Sequence, residues 1–137
     1  MIYRCACCNN RVILPFTVDK EHVFCSKNCL VNYLGLMPAV EIEEGIPLLP
    51  HFNFRSKWEE KFAHFCEEHA LKWKYEPKAF KLKIGKWYIP DFWVEGHYVE
   101  IKGIWERGAK KKAKAFKKQF GNLIILDKIM LKKIGVI

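Results

Sequence analysis

The stretch Tyr88-Ile89-Pro90-Asp91-Phe92-Trp93-Val94-Glu95-Gly96-His97-Tyr98-Val99-Glu100-Ile101-Lys102-Gly103 decides how this chain is read. It predicts two short antiparallel strands around a two-residue Glu95-Gly96 turn, the commonest hairpin connection, with glycine supplying the positive φ. In that register Val94 faces His97, Trp93 faces Tyr98, Phe92 faces Val99 and Asp91 faces Glu100. Opposed residues sit about 5 Å apart on one face of a ladder, so two carboxylates lie side by side. Period-two alternation brings Lys102 to the face of Glu100 and turns Val99 and Ile101 toward a core. Like charges opposed across a strand pair destabilise it. A divalent cation between the two acids relieves that repulsion, and carboxylate oxygens suit a hard ion such as Mg2+ or Mn2+. Lys102 adds a compact cation able to stabilise developing negative charge or help deprotonate a water.

A third acid arrives from a helix predicted within residues 55–75. Ser56 is a good N-cap, and Ser56-x-x-Glu59 is a capping box. Trp58, Phe62, Phe65, Cys66 and Ala70 form the apolar stripe. Glu59 falls at the edge of that stripe, within reach of the sheet, while Glu60 falls nearly opposite it. A capping role alone also accounts for Glu59.

The six cysteines are Cys5, Cys7, Cys8, Cys25, Cys29 and Cys66. Cys5-x2-Cys8 followed by Cys25-x3-Cys29 has the spacing of a tetrahedral zinc site in which two tight turns each supply a thiolate pair. Cys7 is an alternative to Cys5 or Cys8, and His22 to one thiolate. Val12-Ile13-Leu14 and Val23-Phe24 read as the strands of a hairpin, and Ser26 caps a short helix through Leu34 with Cys29 in its first turn. With no export signal at the start of the chain, disulfides are not expected. Cys66 reads as a buried core residue.

Three segments follow: a cysteine module over residues 1–35, a linker over 36–53 and a main domain over 54–137. The linker is punctuated by Pro38, Pro47 and Pro50 and locally acidic at Glu41, Glu43 and Glu44. In the main domain, Trp73-Lys74-Tyr75 and Phe80-Lys81-Leu82-Lys83-Ile84 alternate as half-buried strands, and Gly85-Lys86 turns into Trp87-Tyr88-Ile89. Residues 109–120 predict a helix with Ala113, Phe116 and Phe120 on one face, stopped by Gly121. Leu123-Ile124-Ile125-Leu126 fits a buried strand after a crossover helix, and residues 129–134 a closing helix. The fold class expected is α/β in the broad sense, an α+β mixed sheet.

The net charge is +9 over 137 residues. Residues 1–52 hold 4 Lys/Arg against 5 Asp/Glu, and residues 53–137 hold 20 against 10. The basic excess therefore belongs to the part that carries the carboxylates, which points to a polyanionic partner, with nucleic acid first. Lys110, Lys111, Lys112, Lys114, Lys117 and Lys118 crowd one helix as a phosphate-tracking surface; a merely solvated face is the plainer reading. Trp105 is a candidate for stacking on a base. No run approaches the ~18 apolar residues of a membrane helix, so a cytoplasmic protein with no membrane partner is expected.

The order Glu59, then Pro90-Asp91, then Glu100-x-Lys102 resembles the PD-(D/E)xK nuclease superfamily. Within it, Phe54-Arg55-Ser56 leading to Glu59, Tyr75-Glu76, Tyr88-Ile89-Pro90-Asp91-Phe92 and Tyr98-Val99-Glu100-Ile101-Lys102-Gly103-Ile104-Trp105-Glu106 look like the phage endonuclease I group of Holliday junction resolvases. The resemblance covers most of residues 53–105, and Phe24-Cys25-Ser26-Lys27-Asn28-Cys29 resembles small FCS-type and treble-clef zinc fingers. It implies a restriction-endonuclease-like α-β-β-β-α-β core over 54–137 and a homodimer that cuts branched DNA. It further implies Glu59, Asp91, Glu100 and the Ile101 carbonyl around Mg2+ or Mn2+, Lys102 as the catalytic lysine, and Arg55 and Ser56 near the scissile phosphate. Other nucleases (nicking, mismatch-repair, restriction-like or homing) and a non-catalytic zinc-containing DNA-binding protein are the alternative expectations.

Overall fold

Two short antiparallel strands begin the chain, β1 (Ile2–Arg4) and β2 (Arg11–Ile13). The turn between them is tied by the Cys5 N–H to the Asn10 carbonyl at 2.8 Å and by the Asn9 N–H to the Cys5 carbonyl at 3.0 Å. Asn9 takes φ +63°, a conformation asparagine tolerates better than most side chains. This corrects the expected hairpin. Val12 pairs with Tyr3, while Val23 and Phe24 are fully buried without strand structure. The cysteine turn folds residues 2–4 straight back onto 11–13, and the nearest antiparallel partner wins because its loop costs least to close. Helix α1 (Lys27–Leu36) follows, capped by Ser26, whose side chain accepts the Cys29 N–H at 3.4 Å.

The computed structural model describes residues 2–13, 22–37, 41–103, 108–121 and 123–137. After α1 come β3 (Ile46–Pro47), α2 (Lys57–Glu68), β4 (Trp73–Tyr75), β5 (Lys78–Lys81), β6 (Trp87–Tyr88), β7 (Phe92–Val94), β8 (His97–Lys102), α3 (Ala109–Phe120), β9 (Leu123–Asp127) and α4 (Lys128–Lys133). The main sheet runs in the order β4-β7-β8-β9. Its first three strands are antiparallel, and β9 lies parallel to β8 after the α3 crossover. Between β4 and β7 in the chain, β5 and β6 leave the main sheet and join β3, from before α2, in a smaller antiparallel sheet of order β3-β5-β6. The expected strand over residues 80–84 stops at Lys81, because Leu82 and Gly85 close a turn through Leu82 N–H to the Lys86 carbonyl and Gly85 N–H to the Leu82 carbonyl. The architecture is thus mixed α+β with antiparallel and mixed sheets.

The β7–β8 hairpin has the expected register: Phe92 with Val99, Trp93 with Tyr98, Val94 with His97. Glu95 (φ +48°) and Gly96 (φ +86°) both take positive φ, the signature of a type I′ turn whose twist matches its strands. Alternation along this hairpin divides the core. Phe92, Val94, Val99 and Ile101 join one cluster with Phe62, Phe65 and Cys66 of α2 and Met130 and Leu131 of α4. Tyr98 joins a second cluster on the opposite face with Ala113 and Phe116 of α3, Phe80 and Tyr88. Val23, Phe24, Leu30, Tyr33 and Leu34 of the cysteine segment belong to the first cluster, so that segment packs into the same apolar body as the hairpin. Among the described residues no helix is long and apolar enough to cross a membrane.

Candidate functional sites: an acid-lined cleft and a four-cysteine cluster

The β7–β8 ladder changes character one rung beyond Phe92–Val99. There the side chains of the two acids take over the bonding. The Asp91 N–H donates to Glu100 Oε1 at 3.1 Å, and the Ile101 N–H donates to Asp91 Oδ2 at 2.8 Å. Each carboxylate is thereby braced by the other's strand, and both reach one cleft of about 730 Å3. Glu100 is 2% exposed. Lys102 Nζ pairs with Glu100 Oε2 at 3.0 Å, as period-two spacing along β8 requires.

Helix α2 delivers Glu59 to the same cleft. The Glu59 N–H donates to Ser56 Oγ at 3.2 Å, so the cap forms. The Glu59 carboxylate, however, turns inward: Oε2 accepts the Ser56 hydroxyl at 2.8 Å and Oε1 accepts the Tyr75 hydroxyl at 2.7 Å. Glu60 is exposed, as its helical position predicts. Burial pushes the Asp91 carboxyl well above the usual carboxylate range, and the negative charges of Glu100 and Glu59 push it further. Burial also raises Glu100, against the pull of Lys102. Asp91 and Glu100 thus hold two carboxylates against one another in one cleft, a donor set that fits a hard cation. The three acids share the cleft without closing into a ready-made cage. Among the described residues, the only set of three or more His, Cys, Asp or Glu ligand atoms gathered as tightly as an ion requires is the cysteine set.

Arg55, Ser56, Ile101 and Lys112 also line the cleft, which places three expected DNA contacts beside the acids. Lys110, Lys111, Lys114 and Lys118 are exposed elsewhere on α3, and Lys117 is half-buried. Trp105 lies outside the described residues. Glu76, Trp87 and Tyr88 line the cleft as well; sequence reasoning assigned them no site role, although Tyr75-Glu76 and Tyr88 stand in the motifs that carry the family resemblance. Trp87 and Tyr88 fall in β6, where an alternating strand pattern speaks of core rather than site. The Tyr88 hydroxyl is buried with no hydrogen bond of good geometry. Burial, followed by the charges of Glu100 and Asp91, holds it well above the usual phenol range. A second hollow of about 720 Å3 is lined by Phe52, Trp73, Trp93 and Tyr98, with Glu41 its one carboxylate; it lacks the paired acids on which the chemistry of the cleft rests.

In the cysteine segment, the sulfurs of Cys5, Cys8, Cys25 and Cys29 all lie within 4.8 Å of one another. Cys8 to Cys25 is 3.5 Å and Cys25 to Cys29 is 3.3 Å. Tetrahedral zinc at about 2.3 Å from each sulfur sets neighbouring sulfurs roughly 3.8 Å apart, so these four could bind zinc. Burial opposes ionisation of Cys5, but backbone N–H groups of Cys8, Cys25 and Cys7 aimed at its sulfur bring it down to about 7. Its neighbour Cys25, followed by burial, raises Cys29. Cys7 is exposed and outside the set. Cys66 is a buried thiol pushed up to about 12 by desolvation.

No protein-family model matches this chain, and no curated protein or solved structure matches it either.

Proposed function

We propose that this chain is a metal-dependent DNA endonuclease of the PD-(D/E)xK type, built on a restriction-endonuclease-like core and acting on branched DNA as a homodimer. One observation carries the reading: Asp91 and Glu100, nine residues apart, are cross-braced one rung beyond the hairpin ladder, with Lys102 on Glu100 and Glu59 in the same cleft. Asp91, Glu100 and the Ile101 carbonyl would hold Mg2+ or Mn2+, with Glu59 directly or through water, and the ion supplies Lewis acidity and a water of lowered pKa. The rest falls to the chain itself. Lys102 stabilises charge developing on the phosphoryl oxygens or helps take a proton from the attacking water. Arg55 and Lys112, which line the cleft, hold the phosphodiester backbone. The four cysteines hold structural zinc that ties the N-terminal segment to the core.

The test is cleavage of a panel of DNA shapes, four-way junction, mismatched duplex, nicked duplex and linear duplex, with and without Mg2+. Wild type is expected to cut the junction best and only with the ion. Asp91→Asn and Lys102→Ala are each expected to lose at least about 100-fold, a loss of the size that follows removal of one transition-state contact. Full activity in either variant, or no cutting by wild type on any substrate, sinks the assignment.

A further inference from the structure

Glu76 stands where a side chain has little reason to be comfortable. Its backbone takes φ +44°, a region non-glycine residues rarely occupy and one that costs on the order of 1 kcal/mol. Its carboxylate is nonetheless buried, at 7% side-chain exposure. A guanidinium and an imidazole converge on it. Arg55 Nε meets Oε2 at 3.0 Å and His51 Nε2 meets Oε1 at 2.9 Å. The Glu76 N–H donates to the Asp91 carbonyl at 2.8 Å, so the strained residue is fastened to the backbone of the acid pair.

Arg55 is held from a second side. Its backbone N–H donates to the Tyr75 hydroxyl at 3.2 Å, and that hydroxyl donates onward to Glu59. The His51 ring packs edge-on to Tyr75 at 5.1 Å between centroids. Only the Nε of Arg55 is committed to Glu76 by these contacts, and the side chain is 71% exposed at the cleft mouth. A guanidinium carries five donors in a rigid planar fork. Anchoring it at Nε leaves its outer edge for a bidentate acceptor such as a phosphate.

We infer that Glu76 is a positioning residue: its carboxylate, steadied by His51, aims the Arg55 fork at a backbone phosphate of the nucleic acid in the cleft. This rests on the cleft being a nucleic-acid site, as proposed above. Glu76 acts through Arg55, whose Nε it holds at 3.0 Å.

The experiment measures binding of a labelled four-way junction in Ca2+ across a salt series, and cleavage in Mg2+, for wild type, Arg55→Ala, Arg55→Lys, Glu76→Gln and the Arg55→Ala/Glu76→Gln double variant. Arg55→Ala is expected to weaken binding about tenfold and to lower the slope of log K against log salt by about 0.9, the value of one phosphate contact. Glu76→Gln is expected to reproduce most of that change in affinity and salt slope, and to raise KM for the junction more than it lowers kcat, a split that a merely structural role would not give. Arg55→Lys is expected to bind more weakly than wild type while keeping most of the slope, since an ammonium still meets a phosphate but cannot bridge both groups as a fork, and this arm decides the matter should Glu76→Gln fail to fold. The double variant is expected to bind no worse than Arg55→Ala alone. Wild-type affinity in Glu76→Gln or in Arg55→Lys, a wild-type slope in Glu76→Gln, or losses that multiply in the double variant overturn the inference. A wild type that binds with an Arg55-dependent slope but cuts nothing leaves the inference standing and removes the nuclease reading; a wild type that does not bind removes both.

Discussion

His97 is 1% exposed and packs against Tyr33 with ring centroids 5.6 Å apart. Burial disfavours its charged form and lowers its pKa below the ordinary 6.5. Between the lowered folded value and the unfolded value near 6.5, the unfolded chain binds more protons. Stability therefore rises with pH through that window and is lost as pH falls below about 6.5. A zinc-loaded thermal melt of wild type is expected to show Tm falling over that range, with a shallower fall in His97→Gln. Equal slopes would show that the imidazole does not titrate in this way. Asp91 behaves oppositely in sign and place. There burial and two neighbouring carboxylates favour the protonated form, so the acids oppose folding as they ionise, until a cation offsets them. The paired placement of Asp91, Glu100 and Lys102 was legible in the sequence because a type I′ hairpin and strict alternation leave one register. Glu76 was legible as part of the Tyr75-Glu76 motif, but its place in the cleft was not. It stands between two strands and before Pro77, where a charged residue reads as solvated loop, and only the left-handed backbone turns it inward.

At the scale of elements, the end of β8 must pass under α2. Gly103 meets the Trp58 ring there, and a Cβ built on Gly103 would come within 3.0–3.1 Å of the ring atoms Cη2 and Cε3, too close without a shift. The ring is a rigid body, so the clash moves either Trp58 or the strand that carries Lys102. Gly103→Ala is expected to destabilise by about 1–3 kcal/mol, the usual cost of overpacking, and to lower cleavage more than binding. Chemical denaturation and cleavage rates measured together check this; an unchanged midpoint and rate would mean that the two elements part freely. Helix α3 was predictable to its ends, since Gly121 closes it and Ala113 and Phe116 are its buried residues. Its lysines divide in a way no periodicity shows, with Lys112 in the cleft and Lys114 and Lys118 exposed away from it.

Across the whole molecule, the cysteine segment and the hairpin share one apolar cluster, in which Phe24, Tyr33 and Leu34 join Val94, Val99 and Phe62. A metal that orders the four sulfurs then stabilises the cluster they adjoin. Zinc at about 100 times its Kd adds about 2.7 kcal/mol by mass action alone. Chelation, or Cys25→Ser, is expected to lower Tm for the entire chain in one cooperative transition, read by near-ultraviolet circular dichroism of the tryptophans. Loss confined to the N-terminal segment, with the rest melting as before, would refute the coupling. Local features could be read from the chain alone: the hairpin turn, the Ser26 and Ser56 caps, the cysteine spacing, the α3 crossover and its parallel strand. The turn and the caps depend on neighbours a few residues apart, where sterics and periodicity admit few answers; the cysteine set and the parallel strand reach across longer stretches but carry their own signatures, paired thiols and a continuous apolar run after a helix. Tertiary structure alone decided that β2 pairs with β1, that β5 leaves the main sheet for a smaller one, and that Glu76 enters the cleft. Those outcomes are contests between distant partners of similar chemistry, and the winner is set by loop closure and burial in the assembled fold, which no local pattern encodes.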